Sequence, residues 1–411
     1  MQKGVAYPPG SDRYRYLPIL SLMLVVAAGA LLLWHFMPGA HRKRVSALDT
    51  AMRLVRKHYL YDVDEDVLFK GAMMGLVGSL GDPHSAYLDL YGVEQADAET
   101  QGEFGGIGVT VAPSEAGAVV VELHQDGPAM KAGVKQDDLI VGVDGLNKAG
   151  MPFAEFVGRI RGKVGSTVQL TIQRAPTGET ETLQVTRARL KIESVSWKMV
   201  EPGIGYIKIE GFDEHCAENV RKGLVELQGN GALKGLILDV RGNAGGLLKQ
   251  AVEVSDLFLS EGIIVGLESR LSAERVTFKA QAEVAVPPDL VVVVLVDGGS
   301  ASASEVFAGS LKSNGRATVI GTRTFGKGAV NRLFRLPDES GGLYLTVAHY
   351  TVGSGTPIEG KGIEPDIEVG RLPEYPAGGG DEERTKWRAA YRAALEEQLQ
   401  RAVQFIKEKA K

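Results

Sequence analysis

Two runs, GLILDV at 235–240 and LVVVVLV at 290–296, constrain this chain more than any other feature. A strand that is apolar at nearly every position has no face to offer water, so it must lie in a sheet covered on both sides. Each run is followed by glycines and then by a helical pattern, and that alternation predicts an α/β core. With 411 residues, 44% hydrophobic and 24% charged, the chain can build two or three compact units of this kind.

The N-terminal part obeys different rules. Residues 17–37, LPILSLMLVVAAGALLLWHFM, carry no formal charge and are long enough to cross a hydrocarbon layer of about 30 Å. Nothing polar gives the stretch a solvent face, and Met37, Pro38, Gly39 and Ala40 make a poor signal-peptide cleavage site. An uncleaved transmembrane anchor is expected there, behind a tail of residues 1–16. Its orientation is open on charge alone, because Lys3, Arg13 and Arg15 precede it while Arg42, Lys43 and Arg44 follow. An N-terminal helical region is expected over 45–102. Val45, Leu48, Met52, Val55 and Tyr59 recur with the helical period, a face that must pack on something, and a second helix is expected over 66–80. Gly81, Asp82 and Pro83 would close it.

From 103 to 189 the pattern changes to short strands, VVVEL at 119–123 and VQLTI at 168–172, separated by Gly, Pro and Asp turns. The opening Phe104-Gly105-Gly106-Ile107-Gly108-Val109 and the later GPAMKAGVKQDDLIVGVDG at 127–145 are similar to a PDZ domain. In such a module the backbone N–H groups of Gly105, Gly106, Ile107 and Gly108 would converge on a carboxylate while the neighbouring strand adds a peptide to its edge. A free C-terminus is then the implied ligand. A tight glycine turn is the plainer reading.

The residues that can carry chemistry sit after the apolar strands. Behind LVVVVLV the chain reads Asp297-Gly298-Gly299-Ser300-Ala301-Ser302-Ala303-Ser304-Glu305, a turn that opens a helix and sets a hydroxyl beside unpaired backbone donors. Ser302 and Glu305 also have the spacing of a capping box, which needs no chemistry at all. Farther on, Lys327 stands between Gly326 and Gly328 in GTRTFGKG at 321–328, where glycines let the lysine stem reach inward. A lysine can activate a serine if burial keeps its amine neutral, and Ser–Lys pairs are a variant of the serine triad. Two rival readings stand beside this, an ordinary surface lysine and a phosphate-binding loop. The loop pattern fails at Gly328, where a hydroxyl should hold magnesium. LDVRGNAGG at 238–246 offers bare amides that, with the Ala303 N–H, could stabilise an oxyanion; a helix start needing glycine for close packing fits it as well.

Composition removes several classes. The net charge of −5 comes from 51 acidic and 46 basic residues that are interspersed, which gives no basic field for nucleic acid. One cysteine, Cys216, excludes an internal disulfide, and the seven histidines show no ligand spacing, so no metal is expected. Residues 371–382 read as a linker. A terminal amphipathic helix follows at 383–411, where Trp387, Tyr391, Leu395, Leu399, Ala402 and Ile406 form a stripe that needs a partner surface.

Taken in order, SLGDPHSAYL at 79–88, the PDZ-like module, LDVRGNAGG, GSASASE and GTRTFGKG resemble the C-terminal processing peptidases, the tail-specific S41-type serine proteases, over about residues 45–369. The resemblance implies a mixed α/β protease core of the ClpP/crotonase-like kind at 190–370 with an inserted PDZ domain at 103–189. It implies Ser302 as nucleophile, Lys327 as base 25 residues later, and an oxyanion hole at Gly245, Gly246 and Ala303. No cofactor is implied. Protein substrates with flexible C-terminal tails are implied, together with a catalytic body in the periplasm or another extracytoplasmic space of a bacterial inner membrane. A homo-oligomer or adaptor held through the terminal helices is expected as well. The family's orienting glutamine, four residues after the lysine, is Asn331 here, one methylene shorter. That departure keeps open a partner-activated protease or a catalytically impaired PDZ scaffold. Arg161, in Ile160-Arg161-Gly162-Lys163, lies where related enzymes carry a residue communicating with the catalytic body, and a gating role is expected of it; a solvated basic turn fits equally.

Overall fold

The computed structural model describes residues 39–410 except 101–102, 115, 149–150, 152, 161, 163, 175–176, 192–193, 230, 282–283, 338, 354 and 374–380. The expected anchor at 17–37 and Arg161 lie outside the described residues. Among the described residues no helix is long and apolar enough to cross a membrane.

The chain divides into two units, residues 1–76 and 77–411. The first holds α1 (Gly39–His58) and most of α2 (Glu65–Gly78). Charge suits both helices: Arg56, Lys57 and His58 fill the last turn of α1, and Glu65 and Asp66 open α2. Helix α2 stops short of the expected Leu80, because Leu80 N–H turns back to the Val77 carbonyl and Gly81 adopts φ +66°. Of the α1 stripe, Val45, Leu48, Val55 and Tyr59 are exposed.

The second unit begins with α3 (Leu90–Thr100) and continues into a β module. Strands β1 (Val109–Pro113), β2 (Ala118–Leu123), β3 (Leu139–Val143), β4 (Thr167–Gln173) and β5 (Thr180–Thr186) pair antiparallel in that order. Alternate residues of β4, Val168, Leu170 and Ile172, point into a core closed by Phe156 and Ile160 of α4 (Phe153–Ile160). Strand β1 stands at the end of the order, so its outer edge has no strand neighbour in that sheet.

The apolar runs form the interior strands of the larger domain. Its sheet is ordered β6 (Val195–Glu201), β7 (Ile204–Ile209), β8 (Gly235–Asp239), β9 (Val291–Val296), β10 (Thr318–Gly321), β11 (Ile367–Glu368), antiparallel only between β6 and β7. Their two faces enter two different cores. Leu236, Leu238, Val292, Val294 and Val296 join α5 (Cys216–Gly229), α6 (Leu248–Asp256) and α7 (Ala303–Ser313), whereas Ile237, Val293 and Leu295 meet Ala402, Val403 and Ile406 of α8 (Asp381–Lys409). The stripe of the terminal helix thus has its partner within the chain. At Gly235 the fit is so close that a Cβ would lie 2.3 Å from Ile406.

A second, antiparallel sheet contains strands Ala86–Leu88, Ile263–Ser269, Ala329–Arg335 and Gly342–Val352. It shares the first core through Ile264, Val265, Tyr350 and Val352.

Candidate active site

Strand β9 ends at Val296, and the turn that follows delivers Ser302 to the N-cap of α7 in a conformation few L-residues adopt, φ 57° and ψ −114°. Such strain at a strand-to-helix turn persists only where surrounding contacts over-determine it. Those contacts are present. The Gly242 N–H donates to Asp297 at 2.9 Å, Ala301 N–H and Ser304 Oγ donate to the Asn243 carbonyl at 3.0 and 2.8 Å, and Ser300 Oγ donates to the Val240 carbonyl at 2.8 Å. The serine turn and the LDVRGNAGG loop are therefore one construction, with Asn243 fully buried at the seam.

The paired glycines have different tasks. A Cβ on Gly245 would stand 2.9 Å from Ser302 Cβ and 3.2 Å from the Ala303 nitrogen, so only glycine lets this loop lie against the serine. Its own N–H is taken by Asn243 Oδ1 at 2.8 Å. Gly246 packs on the Phe212 backbone. Among the described residues the N–H groups of Gly246 and Ala303 have no acceptor, which leaves these two, rather than three, free to meet a developing negative charge.

Lys327 is half-buried in a loop whose backbone is bonded on every side. Glu305, fully buried, is the centre of that arrangement. Its Oε2 accepts from the N–H of Ser302 and of Lys327, both at 2.8 Å, and its Oε1 accepts from Gly326 N–H at 2.7 Å and Thr324 Oγ at 2.5 Å. The capping interaction read from the sequence is real, but the same carboxylate also fastens the lysine loop. Gly328 N–H donates to Glu359 at 2.8 Å, and the Gly328 carbonyl accepts from Tyr350 N–H at 2.7 Å.

The backbones of Ser302 and Lys327 are thus tied to one carboxylate, although no hydrogen bond joins the serine hydroxyl to the amine, and Nζ has no partner among the described residues. Asn331, expected to orient the lysine, makes no hydrogen bond to Lys327 among the described residues. Its Nδ2 donates to the His84 carbonyl at 2.9 Å and to Thr346 Oγ1 at 3.2 Å, because the strand register sets Asn331 opposite Thr346 and aims the short side chain at the 79–88 segment.

In the β module, Gly105 and Gly106 belong to a ladder opposite Arg189 and Ala188, which leaves Ile107 and Gly108 at the turn into β1. Gly108 has φ +78°, and the Ile107 side chain is buried in the module core. Among the described residues no group of three or more His, Cys, Asp or Glu is placed to hold a metal. Asp297, Asn243 and Glu305 were not singled out as site residues from the sequence. Only Glu305 had a sequence signal, its capping-box spacing.

Comparison with known proteins bears on the whole arrangement. A family model described as Peptidase family S41 matches residues 203–369, one described as PDZ domain matches 105–186, and one for the N-terminal domain of the activating protease CtpB matches 37–91. The carboxy-terminal-processing protease of Bartonella bacilliformis is 38% identical over 336 residues, covering 81% of this chain and 76% of its own. The carboxy-terminal processing protease CtpA of Bacillus subtilis is 34% identical over 355 residues, 86% of this chain and 75% of its own. Among solved structures, the photosystem II D1 C-terminal processing protease superposes with a TM-score of 0.52 at 27% identity, over 82% of this chain and 95% of that one.

Proposed function

The chain belongs to the S41 family of carboxy-terminal processing serine proteases and carries a PDZ domain, and on that premise we propose that Ser302 is its nucleophile and Lys327 its general base. One observation carries the reading: a single buried carboxylate, Glu305, holds the backbone N–H of both residues at 2.8 Å. In this mechanism the neutral amine of Lys327 takes the Ser302 proton as Oγ attacks a peptide carbonyl. The amides of Gly246 and Ala303 receive the oxyanion, Lys327 returns the proton to the leaving amine, and water then releases the acyl group. A substrate tail adds to the open edge of β1 with its carboxylate at the Ile107–Gly108 turn, so that proteins with extended, flexible C-termini are favoured.

An unfolded protein substrate with a free or an amidated C-terminus tests both halves. Ser302→Ala and Lys327→Ala are expected to lose about a thousandfold or more in turnover, and amidation to raise KM for the wild type. Equal cleavage by all three proteins would refute the catalytic assignment; indifference to amidation would remove the PDZ domain from recognition.

A further inference from the structure

The loop that carries Gly246 does not hold its own shape. From Arg241 to Leu247 it belongs to no helix or strand, and Gly245 and Gly246 adopt φ +116° and +136°, backbone that side chains rarely tolerate. Its course is set by what grips its two ends. At the exit, Phe212 N–H donates to the Gly245 carbonyl at 3.0 Å, and the Phe212 carbonyl accepts from Leu247 N–H at 2.7 Å. At the entrance stands buried Arg241, whose N–H donates to Asp239 Oδ1 at 2.9 Å and whose carbonyl accepts from Lys208 Nζ.

The Arg241 guanidinium is gripped from two sides. Asp239 accepts from Nε at 2.9 Å and from Nη2 at 2.5 Å, while Nη1 donates to Gln398 Oε1 at 2.9 Å and to the Leu395 carbonyl at 2.7 Å, both on α8. Gln398 is fully buried, and its Nε2 donates to the carbonyls of Gly370 at 2.8 Å and Val369 at 3.2 Å. Docking of α8 does not by itself require an amide here, because a buried polar group costs free energy unless bonded and an apolar side chain would extend the stripe. What the amide adds is direction: it fixes the guanidinium, and with it the residue that starts the glycine loop. Resting on the reading that Gly246 and Ala303 receive the oxyanion, we propose that Gln398 is a positioning residue that acts through Arg241 to aim the Gly246 N–H at the reacting carbonyl.

Gln398→Met keeps length and volume and removes both hydrogen-bonding arms. In the full chain, acting on an unfolded protein, it is expected to lower kcat about tenfold or more with KM unchanged, since a misdirected oxyanion donor weakens the transition state and not the bound substrate. A peptide aldehyde, which adds to Ser302 and sets an oxyanion against the same amides, gives the second readout; its inhibition constant should rise by the factor by which kcat falls. Gln398→Glu restores an acceptor for Nη1 but cannot donate to Val369 and Gly370, so it should recover most of kcat while melting below wild type. Ile406→Val loosens the same helix at its contact with Gly235 without touching Arg241, and should melt lower with kcat kept. Should Gln398→Met not fold, Gln398→Asn, an amide one methylene shorter, is read in its place.

Wild-type kcat and aldehyde affinity in the folded variant, a loss confined to KM, an equal loss of kcat in Ile406→Val, or a Gln398→Glu as slow as Gln398→Met would overturn the proposal. Failure of the parent reading looks different: Ser302→Ala would then turn over substrate like wild type, or a fluorophosphonate, which labels an activated serine, would form no adduct at Ser302 of the wild type.

Discussion

Glu305, fully buried, accepts four hydrogen bonds from Ser302, Thr324, Gly326 and Lys327, a task that needs two acceptor oxygens. Glutamine keeps the shape but turns one oxygen into a donor facing two donors, and leaving buried groups unpaired costs about 1–3 kcal/mol each. Glu305→Gln is therefore expected to melt earlier by calorimetry and to lose most of its fluorophosphonate labelling. Retained stability with retained labelling would show that the two loops hold without the carboxylate. At this scale the sequence revealed residue types better than partners. The turns that carry Ser302, Lys327 and the glycines were legible because turn chemistry is local. The partners of Asn331 were not, because its contact to His84 spans 247 positions and depends on a strand register that local patterns do not contain.

Among the elements, α8 shows how a legible pattern can leave its meaning open. Its stripe marked an amphipathic helix, yet nothing in the sequence said that the covering surface was the chain's own sheet rather than another protein. What holds it is both apolar and ionic. Arg241 donates from Nη1 to the Leu395 carbonyl at 2.7 Å and to Gln398 at 2.9 Å, while Asp239 accepts from its Nη2 at 2.5 Å and from Tyr206 at 2.7 Å. Burial by itself would raise the Asp239 carboxyl, but the hydrogen bonds and charge of Arg241 outweigh it and hold the group below the ordinary carboxylate range. A carboxyl depressed in the folded state stabilises the fold above its unfolded pKa, and that contribution is lost as pH falls through the folded value. The melting temperature should therefore hold from neutrality to about pH 4 and fall below it. Asp239→Asn, which strands a buried guanidinium, should cost about 3–5 kcal/mol at neutral pH and flatten the acid decline. An acid profile unchanged in that variant would assign the decline to other carboxylates. The apolar strands β8 and β9 were the most legible elements, since burial on both faces leaves no alternative pattern.

Across the whole molecule, the second unit sets a PDZ module beside a protease core and links them through more than the connecting chain. Arg388 of α8 pairs with Asp137 of the β module, so the helix that docks behind the LDVRGNAGG loop through Arg241 also touches the PDZ module. The order of the modules could be read directly from the changes in hydrophobic period along the chain. Contacts between them could not, since they join residues of ordinary surface type far apart in sequence. The central claim concerns a proton passing from Ser302 to Lys327, and intact-mass measurement of fluorophosphonate labelling across pH reads it most directly. The account predicts one adduct at Ser302 whose rate rises with deprotonation of a single group and is lost in Lys327→Ala. Labelling of Lys327→Ala with the wild-type rate and pH profile would contradict it.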